Sequence, residues 1–273
     1  MSGLSQDDRA TYEAHAGANY STLKHYARSP AHAREQMLHP KEPTEAMEIG
    51  TAVHVAALEP ERFGAEYVRS IKVDRRTKEG KAAWAEFEAE HAGKSILAPE
   101  DHESVRSMAA ALRAHAIVGP LLSEPGMCEV SAYWTDNDTG AECKGRIDKL
   151  LGYAGESYVL DLKKTKDARA SLFAAQIARL GYHVQAAWYL DGLDSIAPHR
   201  RRYVWIAVEE DSPHGIALYE PDETTLMQGR DECRQYLKTH LECLKSGVWP
   251  GYPTEVRMLT LPKWAVTVPE ELR

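Results

Sequence analysis

The pattern of apolar and polar positions divides the chain into a helical part, a strand-rich part and a second helical part. The early apolar spacing is helical and predicts helices that begin at Tyr20, span residues 45–58 and span residues 100–117. Ser21 is placed to cap the first of these helices. Residues 1–19 are polar and rich in Ala and Gly, so we predict a flexible N-terminus there.

The middle of the chain has the pattern of β-strands. Three runs of strand-forming residues, at 128–134, 142–151 and 157–163, are separated by clusters of turn residues, which predicts an antiparallel meander. Helical spacing returns over residues 170–193, another strand pair follows, and an amphipathic helix is predicted over residues 222–245. We therefore expect an α/β fold, in which helices flank a mixed central sheet that contains the meander.

Length and composition exclude several classes of protein. The chain has 273 residues, of which 43% are hydrophobic and 27% charged, unlike a disordered tail, a collagen or a coiled-coil rod. We expect one domain over residues 20–250, followed by an irregular tail over residues 251–273. The net charge of −8 argues against a protein that only coats nucleic acid. It still permits an enzyme whose basic residues are concentrated in one channel.

Targeting signals and cysteine spacing add expectations about location. The sequence has no apolar run of about 18 residues and no signal-peptide pattern, so we expect a cytoplasmic protein that does not engage a membrane. Its four cysteines include no C-x-x-C pair, which argues against a zinc ribbon and suggests reduced thiols.

Two aspartates lie inside predicted strands, where a charge needs a reason. A hairpin centred near residues 154–155 places Asp148 opposite Asp161, with Cβ atoms about 5 Å apart. Carboxylates this close repel each other unless a cation lies between them, and such oxygen ligands suit Mg²⁺ or Mn²⁺. Lys163 follows on the same strand face, where it could orient or deprotonate a water or stabilise developing charge. The alternative is a surface salt bridge between Asp161 and a lysine.

These segments together resemble the PD-(D/E)xK nuclease superfamily in its RecB-like branch. Within that branch, the chain is similar to the C-terminal nuclease domain of exodeoxyribonuclease VIII (RecE) and its phage relatives over about residues 20–250. The second motif lacks the proline that names the superfamily. The segments that carry the resemblance are 145–148, 160–165 and 185–189, with further matches at 20–30, 50–54 and 75–81.

The resemblance implies roles for individual residues. It implies four metal ligands: the side chains of His54, Asp148 and Asp161, and the backbone carbonyl of Leu162. Lys163 would be the catalytic lysine. Glu129 would hold a second metal or a metal-bound water, and Gln185 and Tyr189, one helical turn apart, would line the site. A purely structural role stays open for His54, Glu129 and Tyr189.

Basic residues are candidates for contacts with DNA phosphates. Ser21, with Lys24 and Arg28 behind it, could bind a terminal 5′-phosphate, because helix N-termini bind anions. Basic runs are also common on solvated surfaces, and that interpretation stays open. The other candidates are Arg75, Arg76, Lys78, Lys81 and Arg146.

The resemblance finally implies an activity and partners. It implies an Mg²⁺-dependent DNA exonuclease, with Mn²⁺ as a substitute, that resects the 5′-ended strand of linear duplex DNA and leaves 3′ overhangs for phage-type recombination. Double-stranded DNA ends, a single-strand annealing recombinase and a homo-oligomeric ring in a bacterial or phage-infected cell would accompany it. The cysteine layout predicts no iron–sulfur cluster. The alternatives are an endonuclease, an exonuclease of opposite polarity, or a non-catalytic DNA-binding assembly module.

Overall fold

A mixed β-sheet forms the centre of the computed structural model, which describes residues 2–261. The strands are β1 (Gly3–Ser5), β2 (Ala18–Asn19), β3 (Tyr67–Arg69), β4 (Ser95–Leu97), β5 (Gly126–Thr135), β6 (Glu142–Tyr153), β7 (Glu156–Thr165), β8 (Arg202–Glu209) and β9 (Ile216–Tyr219). The order in the sheet is β1-β5-β6-β7-β8-β9, with β2 beside β6 outside this path. Strands β3 and β4 form a separate two-stranded ribbon.

Helices pack on this sheet and confirm the predicted α/β class. The helices are α1 (Arg9–Ala14), α2 (Tyr20–Leu23), α3 (Pro30–Leu38), α4 (Glu45–Leu58), α5 (Pro60–Glu66), α6 (Lys78–Glu90), α7 (Pro99–Ala114), α8 (Val118–Ser123), α9 (Ala170–Leu180), α10 (Tyr182–Ile196) and α11 (Glu223–Ser246). As the alternating patterns predict, β5, β6 and β7 form an antiparallel meander. Strand β8 then pairs parallel with β7, which makes the sheet mixed.

Alternate side chains of the central strands enter two apolar cores on opposite faces of the sheet. On β7, Val159 joins a core with α10 and α11, whereas Leu160 and Leu162 join a core with α4 and α7. Trp205 of β8 and Leu112 of α7 are among the largest fully buried side chains. Burial of each such side chain contributes roughly 1.5–3 kcal/mol. The two cores thus hold α4 and α10 against the strands that carry the aspartates.

The hairpin of β6 and β7 has the register that the sequence predicts. Lys149 lies opposite Leu160, at the last ladder pair before Asp148 and Asp161. The linking residues 154 and 155 both have positive φ, 51° and 83°, as a two-residue type I′ turn requires. Because a one-residue slip would exchange the two faces, this turn determines where the aspartates lie.

The two strands fork immediately beyond that pair. Beyond it, β6 stays paired with β5 and β7 stays paired with β8, each through its other edge. The cross-strand pair that we expected between Asp148 and Asp161 is therefore not part of the ladder, because the strands diverge at these residues. The fork leaves backbone groups of β7 without a partner strand on that side, and side chains take their place.

Several helix boundaries differ from the sequence prediction, and α7 ends at Ala114, before the predicted residue 117. Asn19, not Ser21, caps α2: its Oδ1 accepts from the backbone N–H of Thr22 at 3.0 Å. Asn19 is the better cap because it is still extended, with φ −141° and ψ 156°, where the helix begins. Gly181, with φ 73°, ends α9 and starts α10, so the helical spacing predicted over residues 170–193 belongs to two helices.

The sequence predicted a flexible N-terminus and an irregular C-terminal tail, and the structure describes part of each segment. Residues 3–19, predicted to be flexible, are docked on the sheet, because β1 pairs with β5 and β2 with β6. Residues 251–261 form neither helix nor strand, and the rest of the predicted tail, 262–273, lies outside the described residues. Among residues 2–261, the helices are too short or too polar to cross a membrane.

Candidate active site

Three potential metal ligands meet at the fork between β6 and β7. One ligand atom from each of His54, Glu129 and Asp148 lies within 4.8 Å of the others. The Nδ1 atom of His54 is 3.4 Å from Oδ2 of Asp148. They come from α4, β5 and β6, so only the packing of α4 on the sheet brings them together. One imidazole and two carboxylates form a donor set that fits a divalent cation such as Mn²⁺ or Mg²⁺.

Glu129 is held in this group by its backbone and by Arg146. Its φ of 49° is in the left-handed region, which is uncommon for a residue other than glycine. Arg146 Nε donates to Glu129 Oε2 at 3.0 Å, and Arg146 Nη1 donates to the Asp7 carbonyl at 3.1 Å. We expected Arg146 to contact DNA. In the structure these two N–H groups of Arg146 donate to acceptors within the protein, and Arg146 orients Glu129.

Asp148 is also bonded to the backbone of β7. Its Oδ2 accepts from the N–H of Leu162 at 2.8 Å. In a strand the N–H and C=O of one residue point to the same edge, so the Leu162 carbonyl also points into the fork. Burial raises the pKa of Asp148 to about 7, an effect that His54 opposes and Asp161 increases. The ionised form is thus disfavoured here unless a cation balances it.

Lys163 organises the other side of the fork. Its Nζ donates to Asp161 Oδ1 at 2.8 Å and to Gln185 Oε1 at 2.9 Å. Gln185 Nε2 then donates to the hydroxyl of Tyr189 at 3.2 Å. Asp161 is 2% exposed, and its carboxylate faces Lys163 instead of joining the three-ligand group. The predicted helical pair on α10 is therefore linked to the lysine by a continuous chain of hydrogen bonds.

The charge state of Lys163 follows from its neighbours. Burial lowers the pKa of this ammonium, but Asp161 and Asp148 more than offset the loss, so the pKa lies above its ordinary value. The lysine is therefore positively charged at neutral pH. Of the three roles that the sequence left open, a charged lysine disfavours removal of a proton from water and is compatible with orientation of a water or stabilisation of negative charge.

Two aromatic or basic groups complete the surroundings of Lys163. The ring of Tyr182, which the sequence analysis missed, has its centroid 4.5 Å from Lys163 Nζ. The break at Gly181 places Tyr182 there, and this glycine was the available signal. Lys24 also lies nearby: burial and the charge of Lys163 lower the pKa of Lys24.

The proposed 5′-phosphate pocket is less complete than the sequence suggested. Ser21 is exposed but is not a cap, since Asn19 occupies that role and already binds the Thr22 N–H. Arg28 Nε donates to the hydroxyl of Tyr252 at 3.0 Å. Of these three predicted residues, Lys24 lies near enough to the fork for the charge of Lys163 to lower its pKa.

The basic stretch at the start of α6 is on the surface. Arg76 pairs with Asp74 at 2.9 Å, and the Arg75 guanidinium lies 4.2 Å from the ring centroid of Trp84. Two of the four predicted phosphate ligands of this stretch, Arg75 and Arg76, thus already contact groups within the protein. The other two, Lys78 and Lys81, are exposed in the first turn of α6. Neither of the contacts made by Arg75 and Arg76 reaches the residues at the fork.

Without metal, Asp148→Asn is expected to make the protein more stable at pH 8. The folded-state pKa of about 7 exceeds the ordinary 3.8, so the unfolded chain loses this proton first as the pH rises. Wild-type stability therefore falls between about pH 4 and pH 7, by roughly 4 kcal/mol at most. Asparagine avoids this loss and still accepts from Leu162.

Urea unfolding in a metal chelator at pH 4 to 8 measures this effect. The gap between variant and wild type should open as the pH rises, and the exposed Asp138→Asn variant should follow the wild type. A gap that is constant over this range would contradict the assignment of the raised pKa to Asp148.

Comparisons with known proteins place this geometry in a family. The family model of a PDDEXK-like domain of unknown function, DUF3799, matches residues 19–261. A crystal structure from Eubacterium rectale, described as a "putative exonuclease", aligns with a TM-score of 0.62 and 13% identity, over 95% of this chain and 96% of that chain. At this identity the likeness concerns the fold.

Other comparisons add little. The structure of SSO0001 aligns with a TM-score of 0.28 and 17% identity, over 68% of this chain and 86% of that chain, which supports no inference. No curated protein matches the sequence.

Proposed function

The chain belongs to the PDDEXK-like family that matches its residues 19–261, and on that premise we propose that it is a metal-dependent deoxyribonuclease. One juxtaposition carries the proposal: a group of His54, Glu129 and Asp148 next to a charged lysine, at the fork of two sheet strands. Phosphodiester hydrolysis needs both features, since negative charge develops on the phosphate.

The fork has the residues to hold a divalent cation. The side chains of His54, Glu129 and Asp148 would bind it, and the Leu162 carbonyl points to the same place. Asp161 borders this site and is the remaining predicted ligand. When bound, the cation would supply Lewis acidity toward the phosphodiester and neutralise part of its charge.

Lys163 acts in this proposal as a fixed positive charge. Asp161 and Gln185 hold its ammonium by two hydrogen bonds, so it needs no reorganisation when charge develops on the phosphate. Tyr189 fixes Gln185, and the Tyr182 ring lies against the ammonium. Positioning of one donor in this way is typically worth 10²–10³ in rate.

We further propose that the enzyme is an exonuclease that resects the 5′-ended strand of linear duplex DNA, with Mg²⁺ as cofactor. The support is the resemblance of its motifs to RecE-type nucleases, together with the fold that it shares with a protein described as a putative exonuclease. A ring of identical subunits and a single-strand annealing recombinase as partner belong to the same proposal. An endonuclease on this fold is the second candidate, since the metal site does not distinguish the two.

Timed digestion of linear duplex DNA, labelled at the 5′ or the 3′ end, tests the proposal. With Mg²⁺ the 5′ label should be released as small products while the 3′ label stays in long single strands. Covalently closed and nicked circles separate the alternatives, because a nick offers an internal 5′ end and a closed circle offers none. Omission of Mg²⁺, or the Asp148→Asn variant, should stop the reaction.

Each alternative has its own outcome. Early release of the 3′ label would reverse the polarity. Cutting of closed circles would identify an endonuclease. Binding of DNA without turnover in Mg²⁺ or Mn²⁺ would identify a non-catalytic module and overturn the proposed function.

Calcium is expected to support DNA binding without cleavage. Ca²⁺ is larger than Mg²⁺ and accepts looser geometry, so it would neutralise the carboxylates but align the reacting groups poorly. Fluorescence anisotropy of a labelled duplex measures binding, and a digestion of the same duplex measures cleavage. Rapid cleavage in Ca²⁺ alone would contradict this expectation.

A further inference from the structure

The chain that precedes the matched family region packs along β5 and β6, the two strands that carry candidate metal ligands. In this N-terminal arm, residues 2–18, β1 pairs antiparallel with β5. The Tyr133 hydroxyl donates to Asp7 Oδ2 at 2.7 Å and ties the arm to β5. The arm is therefore attached to β5, the strand that carries Glu129.

Lys144 on β6 depends on the arm for its hydrogen bonds. This residue is 4% exposed, and its Nζ donates to the carbonyls of Tyr12 at 2.7 Å and His15 at 2.6 Å. Among the described residues, no carboxylate forms an ion pair with it. Because a buried ammonium is costly unless it is hydrogen-bonded, these carbonyls of the arm stabilise Lys144 in its buried position on β6.

Arg146 connects the arm to the three-ligand group. One side of its guanidinium donates to Glu129, and the other donates to the backbone carbonyl of Asp7 in the arm. The Tyr12 ring lies below it, with 5.8 Å between the ring centroid and the guanidinium carbon. The Arg146 side chain is 16% exposed, so these contacts determine its position.

The opposite side of the arm faces the helix that carries His54. Arg9 and Glu13 of α1 form one wall of a cleft of about 550 Å³, and Met47 and Thr51 of α4 form another. Thr51 is one turn before His54. The arm thus borders the elements of all three candidate ligands.

We propose that the N-terminal arm is a positioning element of the metal centre. The Asp7 carbonyl and the Tyr12 ring hold Arg146, and Arg146 holds the Glu129 carboxylate beside His54 and Asp148. This role rests on the proposed function, since it requires that the group binds a metal. Partners that orient a ligand from outside the coordination shell typically change metal affinity 10- to 100-fold.

Calorimetric titration with Mn²⁺ in the absence of DNA tests this role in the full chain. Arg146→Lys keeps the charge but lacks the planar fork that reaches both Glu129 and Asp7. We expect it to raise the Mn²⁺ Kd about tenfold. Asp7→Ala, which removes the acceptor of Tyr133 and loosens the arm, should also raise the Kd.

Arg202→Lys is the matched control. Arg202 also links two acceptors across a sheet, the carboxylates of Glu156 and Glu220, but it does so on the exposed part of β8. This substitution has the same chemistry and should leave the Mn²⁺ Kd unchanged. Thermal unfolding of each variant shows whether stability and affinity change together.

The outcomes separate the arm from the proposed function. Wild-type Mn²⁺ affinity in both Arg146→Lys and Asp7→Ala would overturn the positioning role, even with lowered thermal stability, which would indicate a purely structural arm. Tighter binding in these variants would also overturn it and indicate a restrictive arm. If Asp148→Asn abolishes binding in either case, the metal site and the proposed function stand. A wild type that binds no Mn²⁺ would remove both.

Discussion

Asp148→Asn is expected to reduce DNA cleavage in Mg²⁺ by roughly a thousandfold or more, since several kcal/mol of charge stabilisation are lost with the metal. The variant should stay folded, because the asparagine oxygen can still accept from the Leu162 N–H that Asp148 binds at 2.8 Å. Digestion of end-labelled linear duplex measures the rate, and Mn²⁺ calorimetry measures the lost site.

The control for this prediction is Asp138→Asn, an exposed residue in the turn between β5 and β6, which should cleave as the wild type does. Near wild-type turnover of Asp148→Asn would show that the metal assignment is wrong. Asp161→Ala is a poorer test, because it removes the carboxylate that balances the buried Lys163 ammonium and is expected to destabilise the fold as well.

Lys163→Met is expected to lower the cleavage rate 10²- to 10³-fold, while the Mn²⁺ Kd stays close to that of the wild type. The lysine lies outside the three-ligand group, and its hydrogen bonds go to Asp161 and Gln185. Its loss removes a positive charge from the reaction site but leaves His54, Glu129 and Asp148 in place. Methionine is similar in length, but it leaves the buried Asp161 carboxylate without its cation, so thermal unfolding of the variant must accompany the rate measurement.

Lys164→Met is the matched control for this variant. Lys164 is the next residue of β7, so its side chain points to the opposite face, where it pairs with Glu210. Normal cleavage in Lys164→Met, together with loss in Lys163→Met, would assign the effect to the face of the strand that carries the site. Loss of Mn²⁺ binding in Lys163→Met would show that the lysine is structural.

Local patterns predicted the central strands well. The alternation of apolar residues and the turn at residues 154–155 predicted the meander and the register that pairs Lys149 with Leu160. Strand alternation and a tight turn depend on residues that are close along the chain, so a sequence contains most of the information that sets the register of a hairpin. The N-terminal arm was predicted poorly, because its polar composition gives no sign that the carbonyls of Tyr12 and His15 bind Lys144.

The sequence predicted only part of the candidate site, because some of its contacts join residues that are distant along the chain. The resemblance named His54, Glu129, Asp148 and Lys163, and the structure brings them to one fork. Tyr182 was missed, because it contacts Lys163 only through the break between α9 and α10.

By itself, the sequence determined which groups are available for chemistry and which strands carry them. Hydrophobic periodicity and turn residues act over short distances, so they place Asp148 and Asp161 at the end of one hairpin without further information. Tertiary structure alone decided how these groups are used. The divergence of β6 and β7 gives Asp148 the Leu162 N–H, and leaves Asp161 to Lys163. The packing of distant segments supplies the burial and charge that set the pKa values of these groups, and no local pattern encodes that packing.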